Sequence, residues 1–392
     1  MTGRAIAAAR QSCLLAALVA ALGVFAWQAA YVELAHDGNW TALFLTGSSF
    51  GVPPALASEG VYEVPGGAGY DGQFYHVIAH DPRLGPESRE CLDSPRLRWR
   101  RILAPLLANA LALGQDRWID PAYFAVILAA VFLGTYWLAG FARLHGLPAW
   151  FGLLFVAVPA VLVSIERMTV DVVLAALAVG FWHYTERGPR WAVYPILVLA
   201  PLARETGIAL PLAAVAFSLF RRETKRAIAE AGTALPFLGW VGYVHSATHS
   251  DIAEQWGSFL PFWGILSRTY RLFFGPTPRG EVFQGIVLDG LAVLGIWIGL
   301  FLAYRAIRRP PLTLFKSAIA VFALFAVFLG SRSVWYDGIA FARVLSPLIV
   351  WLLMYGMPVR SWQMAVPLVL TFPREADELL RRSVEALRAF GG

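Results

Sequence analysis

The sequence predicts an all-α integral membrane protein, a single transmembrane domain over residues 1–392, and three observations predict it. Hydrophobic residues fill 58% of the 392 positions and charged residues only 15%, whereas roughly a quarter of a soluble chain is charged. The apolar residues arrive in blocks of about 12–22 separated by short charged punctuation, the pattern of helices that cross hydrocarbon. Fifteen tryptophans and 13 tyrosines suit aromatic belts at two membrane–water interfaces.

The net charge of +6 does not point to nucleic acid. Lys and Arg sit at the ends of apolar runs rather than along one stripe, so they read as topology signals. Cys13 opens the first apolar run and Cys91 lies in a polar loop, a pattern that suggests neither a disulfide nor a metal cluster. No glycine-rich phosphate loop, Walker motif, zinc-finger spacing or Gly-x-Ser-x-Gly elbow is present, and no resident cofactor is expected.

The first run, residues 11–35, follows Arg4 and Arg10. It is longer than the roughly 7–15-residue core of a signal peptide, so a retained helix with a cytoplasmic N-terminus is expected. Residues 36–119 then form a large first external loop. Further runs lie near 120–141, 148–164, 170–185, 191–202, 208–220, 232–246, 284–305, 313–330, 342–357 and 361–372. Alternating them puts Arg143/His145, Arg187/Arg190, Arg221/Arg222/Lys225/Arg226, Arg305/Arg308/Arg309 and Arg360 on one face, as the positive-inside rule demands. The run 101–114 must not cross, because a crossing there would invert every later loop. It is expected as an interfacial helix, being short for a span. The same parity splits 191–220 into a hairpin around Arg204-Glu205-Thr206-Gly207. A bundle of about eleven crossings results, with a second external loop at 247–283. An amphipathic helix at 373–392 carries Leu379, Leu380, Val384, Leu387 and Phe390 among its charges.

This topology gathers the unexpected polar residues outside. They are the stretch Tyr70-Asp71-Gly72-Gln73-Phe74-Tyr75-His76 with His80 and Asp81, then Arg100 and Arg101, then Glu166, Arg167 and Asp171. Arg204 and Glu205 follow, and last Arg332, Tyr336, Asp337 and Arg343. Ionisable groups at a membrane boundary are costly and usually face a cavity. Arginine's planar fork grips phosphate oxygens, and a carboxylate can accept a hydroxyl proton. Asp71 reads as a general base, or as a loop aspartate bonded to its own backbone. Arg100 and Arg101 clamp a phosphate or anchor an interfacial helix. Asp171 and Glu205 line a pocket or pair with Arg167 and Arg204. Arg343 holds a phosphate or pairs with Asp337 or Glu205. His76, His80 and Asp81 read as a divalent-metal site or as the water-facing side of an amphipathic interfacial helix: His76 and His80, four apart, would share a helix face, but no third strong ligand is evident by spacing.

The Tyr-Asp-Gly-Gln-Phe-Tyr stretch in a large first external loop resembles the C-type (GT-C) membrane glycosyltransferases over the organisation of residues 1–220. That resemblance implies a multi-pass bundle with juxtamembrane helices in the bacterial inner membrane. It also implies Asp71 as catalytic base in an inverting transfer, and a polyprenyl-phosphate sugar as donor. The acceptor would be an extracytoplasmic glycan, lipid or protein. Tyr70, Tyr75, His76, Asp81, Arg100, Arg101, Asp171, Arg204, Glu205, Arg332, Tyr336 and Arg343 are the candidate substrate-binding residues. Two departures are visible: Asp71 is followed by Gly72 rather than a second acid, and the external turn carries Arg204 where a lysine is common. A transporter or flippase, or a non-catalytic subunit on the same scaffold, is the rival expectation.

Overall fold

The computed structural model describes residues 3–248, 257–275 and 283–391. Residues 249–256 and 276–282 of the expected second external loop lie outside the described residues; its middle carries the helix Trp263–Phe274. The architecture is helical, and among the described residues the one sheet is a parallel pair of two-residue strands, Thr46–Gly47 with Glu63–Val64.

Three helices are long and apolar enough to cross a membrane: Arg10–His36, Asp116–Leu144 and Gln284–Arg308. A fourth span exists if the pair Ala149–Phe155 and Pro159–Arg167, bent by 63°, is counted as one. Four other apolar helices are short, and of these Leu314–Phe328 and Ser346–Gly356 fall inside the longer runs expected at 313–330 and 342–357. Val193–Ala203, Glu205–Phe220, Leu314–Phe328 and Ser346–Gly356 have 10–17 residues, about 15–25 Å at the helical rise, against a hydrocarbon core of about 30 Å. The described residues therefore hold a bundle of apolar helices of which three, or four with the bent pair, are long enough for a full span. Proline accounts for two of the breaks. Pro159 and Pro347 lack the amide that a continuous helix needs, and each opens a new helix beside an interrupted one.

The bundle has two unlike ends. At one, Arg360 donates to the carbonyls of His145 (3.1 Å) and Gly146 (3.4 Å), and His145 lies 3.9 Å from Glu186. Thr185, Arg226, Glu230 and Leu314 share a pocket there. At the other end lie Asp71, Arg98, Arg101, Asp171, Arg204, Glu205 and Arg343. The helix Leu103–Leu111, too short to cross, packs against Asp71–His80 there, with Asn109 Nδ2 donating to the Ala79 carbonyl at 2.9 Å.

The C-terminal charges belong to one continuous helix, Val366–Gly391, with Pro373 inside it. Its polar face turns inward. Arg374 pairs with Asp289 at 2.8 Å, Gln284 donates to Asp377 at 2.8 Å, and Arg382 pairs with Glu166. Leu380, Val384 and Leu387 are exposed, beside the exposed Arg381, Glu385 and Arg388. The bundle end that receives this helix is itself polar, so the charges find partners and the leucines remain outside.

The Asp71–His80 helix is seated by its sequence. Tyr70 N–H donates to the Leu45 carbonyl at 3.0 Å. Gln73 clamps the neighbouring loop, its Oε1 accepting from Gly47 N–H at 3.0 Å and its Nε2 donating to the Ala68 carbonyl at 2.8 Å. Gly72 has no room for a side chain: a Cβ there would collide with the Arg167 carbonyl oxygen and lie 2.9 Å from that of Phe44. Gly72→Ala is thus expected to push this helix off its seat and cost about 1–3 kcal/mol, as overpacking does. Thermal melting of the detergent-solubilised protein checks it; an unchanged midpoint would mean the helix is not seated this way.

Candidate functional site

The helix Asp71–His80 starts at the site, so Asp71 lies in its first turn, where the helix dipole favours a negative charge. Its carboxylate is held between two arginines. Arg98 Nη1 lies 2.9 Å from Oδ1, and Arg343 Nη2 lies 2.8 Å from Oδ2. Arg98 comes from the short helix Pro95–Arg100 and Arg343 from Ala340–Val344, so three segments far apart in the chain meet at one carboxylate.

Around this pair the charges form a network. Arg98 also grips Asp93 with Nε and Nη2 at 2.8 and 2.6 Å. Arg101 makes a two-pronged contact with Glu205, both arms at 2.8 Å, and donates from Nη1 to the Tyr75 hydroxyl at 2.7 Å. Arg204 pairs with Asp171, and Arg343 Nε lies 3.8 Å from the same carboxylate. Tyr70 donates its hydroxyl to Asp337 at 3.0 Å, while Arg167 and Arg343 lie over its ring at 4.5 and 5.2 Å. Asp337 is fixed in turn by accepting from Ile339 N–H at 3.1 Å.

The network encloses a cavity of about 220 Å³ lined by Asp71, Asp93, Arg98, Arg101, Arg204, Ser333, Asp337 and Arg343, among others. That is below the roughly 300–1,000 Å³ of a drug-sized ligand site, and suits a phosphate or one sugar ring. Arg343 is only 6% exposed, yet its Nε and Nη1 have no hydrogen-bond partner among the described residues. Buried donors left unpaired carry a desolvation cost that an arriving oxyanion would remove.

A second, apolar cavity lies close along the chain. It is a lateral groove of about 700 Å³ between the helices Leu103–Leu111, Asp116–Leu144, Asp171–Arg187 and Val193–Ala203. Leu103, two residues beyond Arg101, and Val173, two beyond Asp171, belong to its wall, which runs down to Tyr184 and Trp191.

Several residues singled out by sequence lie elsewhere. Arg100 turns back to donate to the Arg96 carbonyl at 2.8 Å. Asp81 caps a turn, accepting from Gly85 N–H at 2.6 Å and from the Ser88 hydroxyl at 2.8 Å. His76 is on the far side of its helix, stacked on Phe44 at 4.0 Å. Arg332 is exposed, and Tyr336 carries the Arg271 guanidinium over its ring at 3.5 Å, outside the cavity lining. The cavity instead uses Arg98 and Asp93. Positions 98 and 101 are three apart and share a helical face, whereas 100 and 101 diverge, a spacing that could have identified Arg98.

Burial alone would raise the Asp71 pKa, but Arg98, Arg343 and Arg101 together outweigh it and hold the carboxyl well below the usual range. Burial pushes the Tyr70 phenol up, so it remains a donor. Because the folded-state pKa of Asp71 is depressed, its stabilising contribution is fully present above the unfolded value of about 3.9 and is lost as pH falls from there. Removing one of the two arginines with Arg343→Met is expected to cost about 1–3 kcal/mol, since one oxygen of a buried carboxylate loses its partner while Arg98 keeps the other. Asp71→Asn/Arg343→Met should recover part of that. Equal midpoints for the single and double variants in denaturation between pH 5 and 8 would contradict the coupling. Compared with protein-family models, with curated proteins and with solved structures, the chain matches none.

Proposed function

We propose that this chain is a GT-C-like inverting glycosyltransferase of the bacterial inner membrane. In this reading it threads the bilayer about eleven times, short helices included, and moves a sugar from a polyprenyl phosphate to an extracytoplasmic glycan, lipid or protein. The observation that carries the reading is Asp71, held between Arg98 and Arg343 in a polar cavity, with unpaired donors on Arg343. The apolar groove beside the cavity suits the prenyl chain, and the two unlike ends of the bundle suit the proposed orientation.

Asp71 as it stands is a poor base, because two guanidiniums stabilise its charge. The donor phosphate changes that. When its oxygens take the N–H groups of Arg343 and Arg98, those arginines are drawn from Asp71, whose proton affinity rises. The acceptor oxygen then attacks the anomeric carbon as the bond from that carbon to the phosphate oxygen breaks. The acceptor proton passes to Asp71, and the charge gathering on the leaving phosphate is met by Arg343 and Arg101. Arg101 is positioned for this by Glu205 and Tyr75.

The strength of the Asp71 ion pairs favours a second reading, a non-catalytic subunit that binds a prenyl phosphate without transfer. One variant separates the two. Asp71→Asn is expected to retain membrane insertion and donor binding while losing transfer about 10²–10⁴-fold, the range of a general base. In a deletion strain complemented with this variant, the undischarged prenyl-linked sugar should accumulate. Transfer at the wild-type rate would remove the base role.

A further inference from the structure

The histidines that the glycosyl site does not use face a carboxylate from another helix. His76 and His80 lie one turn apart on the Asp71–His80 helix, and opposite them is Asp120, in the first turns of Asp116–Leu144. His76 Nε2 lies 2.9 Å from Asp120 Oδ1, and His80 Nε2 lies 3.2 Å from the same oxygen. All three donor atoms fall within 4.8 Å of one another, and all three residues are buried. Ligand atoms on a tetrahedral zinc, with bonds of about 2.0–2.2 Å, stand about 3.3–3.6 Å apart. The His80–Asp120 separation is near that edge and the His76–Asp120 separation a few tenths of an ångström inside it, so an entering ion needs only a small opening of the cluster.

We propose that His76, His80 and Asp120 bind one divalent transition-metal ion of zinc type, which clamps the Asp71-bearing helix to Asp116–Leu144. Hydrogen bonding accounts for only part of the arrangement. His80 Nε2 is within hydrogen-bond distance of Asp120 Oδ1 at 3.2 Å, but His76 Nε2 crowds the same oxygen at 2.9 Å outside good hydrogen-bond alignment, and Nδ1 of this wholly buried ring has no hydrogen-bond partner among the described residues. A metal takes the Nε2 lone pairs directly. Two imidazoles with one carboxylate select a transition ion over magnesium or calcium, which prefer oxygen ligands throughout. His80 Nδ1, on the other side of its ring, lies 3.6 Å from the exposed Asp116 carboxylate. That is where an outer partner fixing a metal-bound histidine belongs. Phe44, stacked flat on His76 at 4.0 Å, holds the other ring.

The ion is a clamp in this account, so the inference stands whether or not the cavity transfers sugar. The test uses the full chain, purified in detergent with its affinity tag removed. Elemental analysis is expected to find about one equivalent of zinc-type metal per chain in the wild type and in Asp81→Asn. Less than a tenth is expected in His76→Gln, His80→Gln and Asp120→Asn. Metal-stripped wild type should melt at a lower temperature and recover with zinc but not magnesium. Adding cobalt(II) to stripped wild type should give visible d–d bands of a four- or five-coordinate site, a readout that does not depend on any variant folding. A wild type that takes up neither zinc nor cobalt, or variants that keep the full equivalent, would overturn the proposal.

Discussion

The contact between Asp71 and the two arginines that hold it is the constraint around which the functional end of the molecule is organised. A carboxylate this buried is unfavourable as an ion unless cations reach it, and a buried guanidinium is equally dependent on an anion. Arg98 can reach it only if Pro95–Arg100 folds back over the first loop. Arg343 can reach it only if Ala340–Val344 is packed beside the Asp71 helix. Tyr70, Gly72 and Gln73 hold that helix in place through Asp337, the close backbone approach at Arg167, and the clamp on Gly47 and Ala68. Each residue of the Tyr-Asp-Gly-Gln run thus has a separate physical task, and the tasks converge on one carboxylate.

The short helices explain how deep this cluster lies. Asp171 opens Asp171–Arg187, and Arg204 follows the end of Val193–Ala203. Measured from the opposite ends of these helices, the Asp171–Arg204 pair stands about 16–25 Å along the bundle. In the proposed orientation this is inside a hydrocarbon layer of about 30 Å, not at its outer edge. A recessed site has a low local dielectric, which strengthens the grip of arginine on an oxyanion and would keep water from the sugar phosphate of the proposed function. Helices that fall short of a full span are therefore useful here, since they let a polar cavity sink into an apolar body.

The membrane character was plain in the amino-acid sequence because run length and charge depletion report directly on hydrocarbon. Arg101, Asp171, Arg204, Glu205 and Arg343 stood out for a related reason, because a charge at the mouth of an apolar helix needs an explanation, whereas Asp71 stood out through the Tyr-Asp-Gly-Gln-Phe-Tyr stretch around it. Helix lengths were less legible, since hydropathy does not register the breaks before Pro159 and Pro347. Arg98 was passed over for Arg100 because the local helix that aligns 98 with 101 is only six residues long. Asp120 could not be tied to His76 and His80, because no periodicity links residues 40 apart on separate helices. The inward polar face of the last helix was hidden for the same reason, its partners Glu166 and Asp289 being known only once the chain is folded.

The claim at the centre of this account is that the arginine cavity receives a lipid-borne phosphate. Calorimetric titration of the wild-type chain in nanodiscs with a short-chain polyprenyl phosphate, and separately with the matching polyprenol, tests it most directly. The account requires saturable binding of the phosphate, weakened by added salt and lost in Arg343→Gln, with no comparable binding of the alcohol. Equal affinity for the two lipids, or binding indifferent to Arg343, would contradict it.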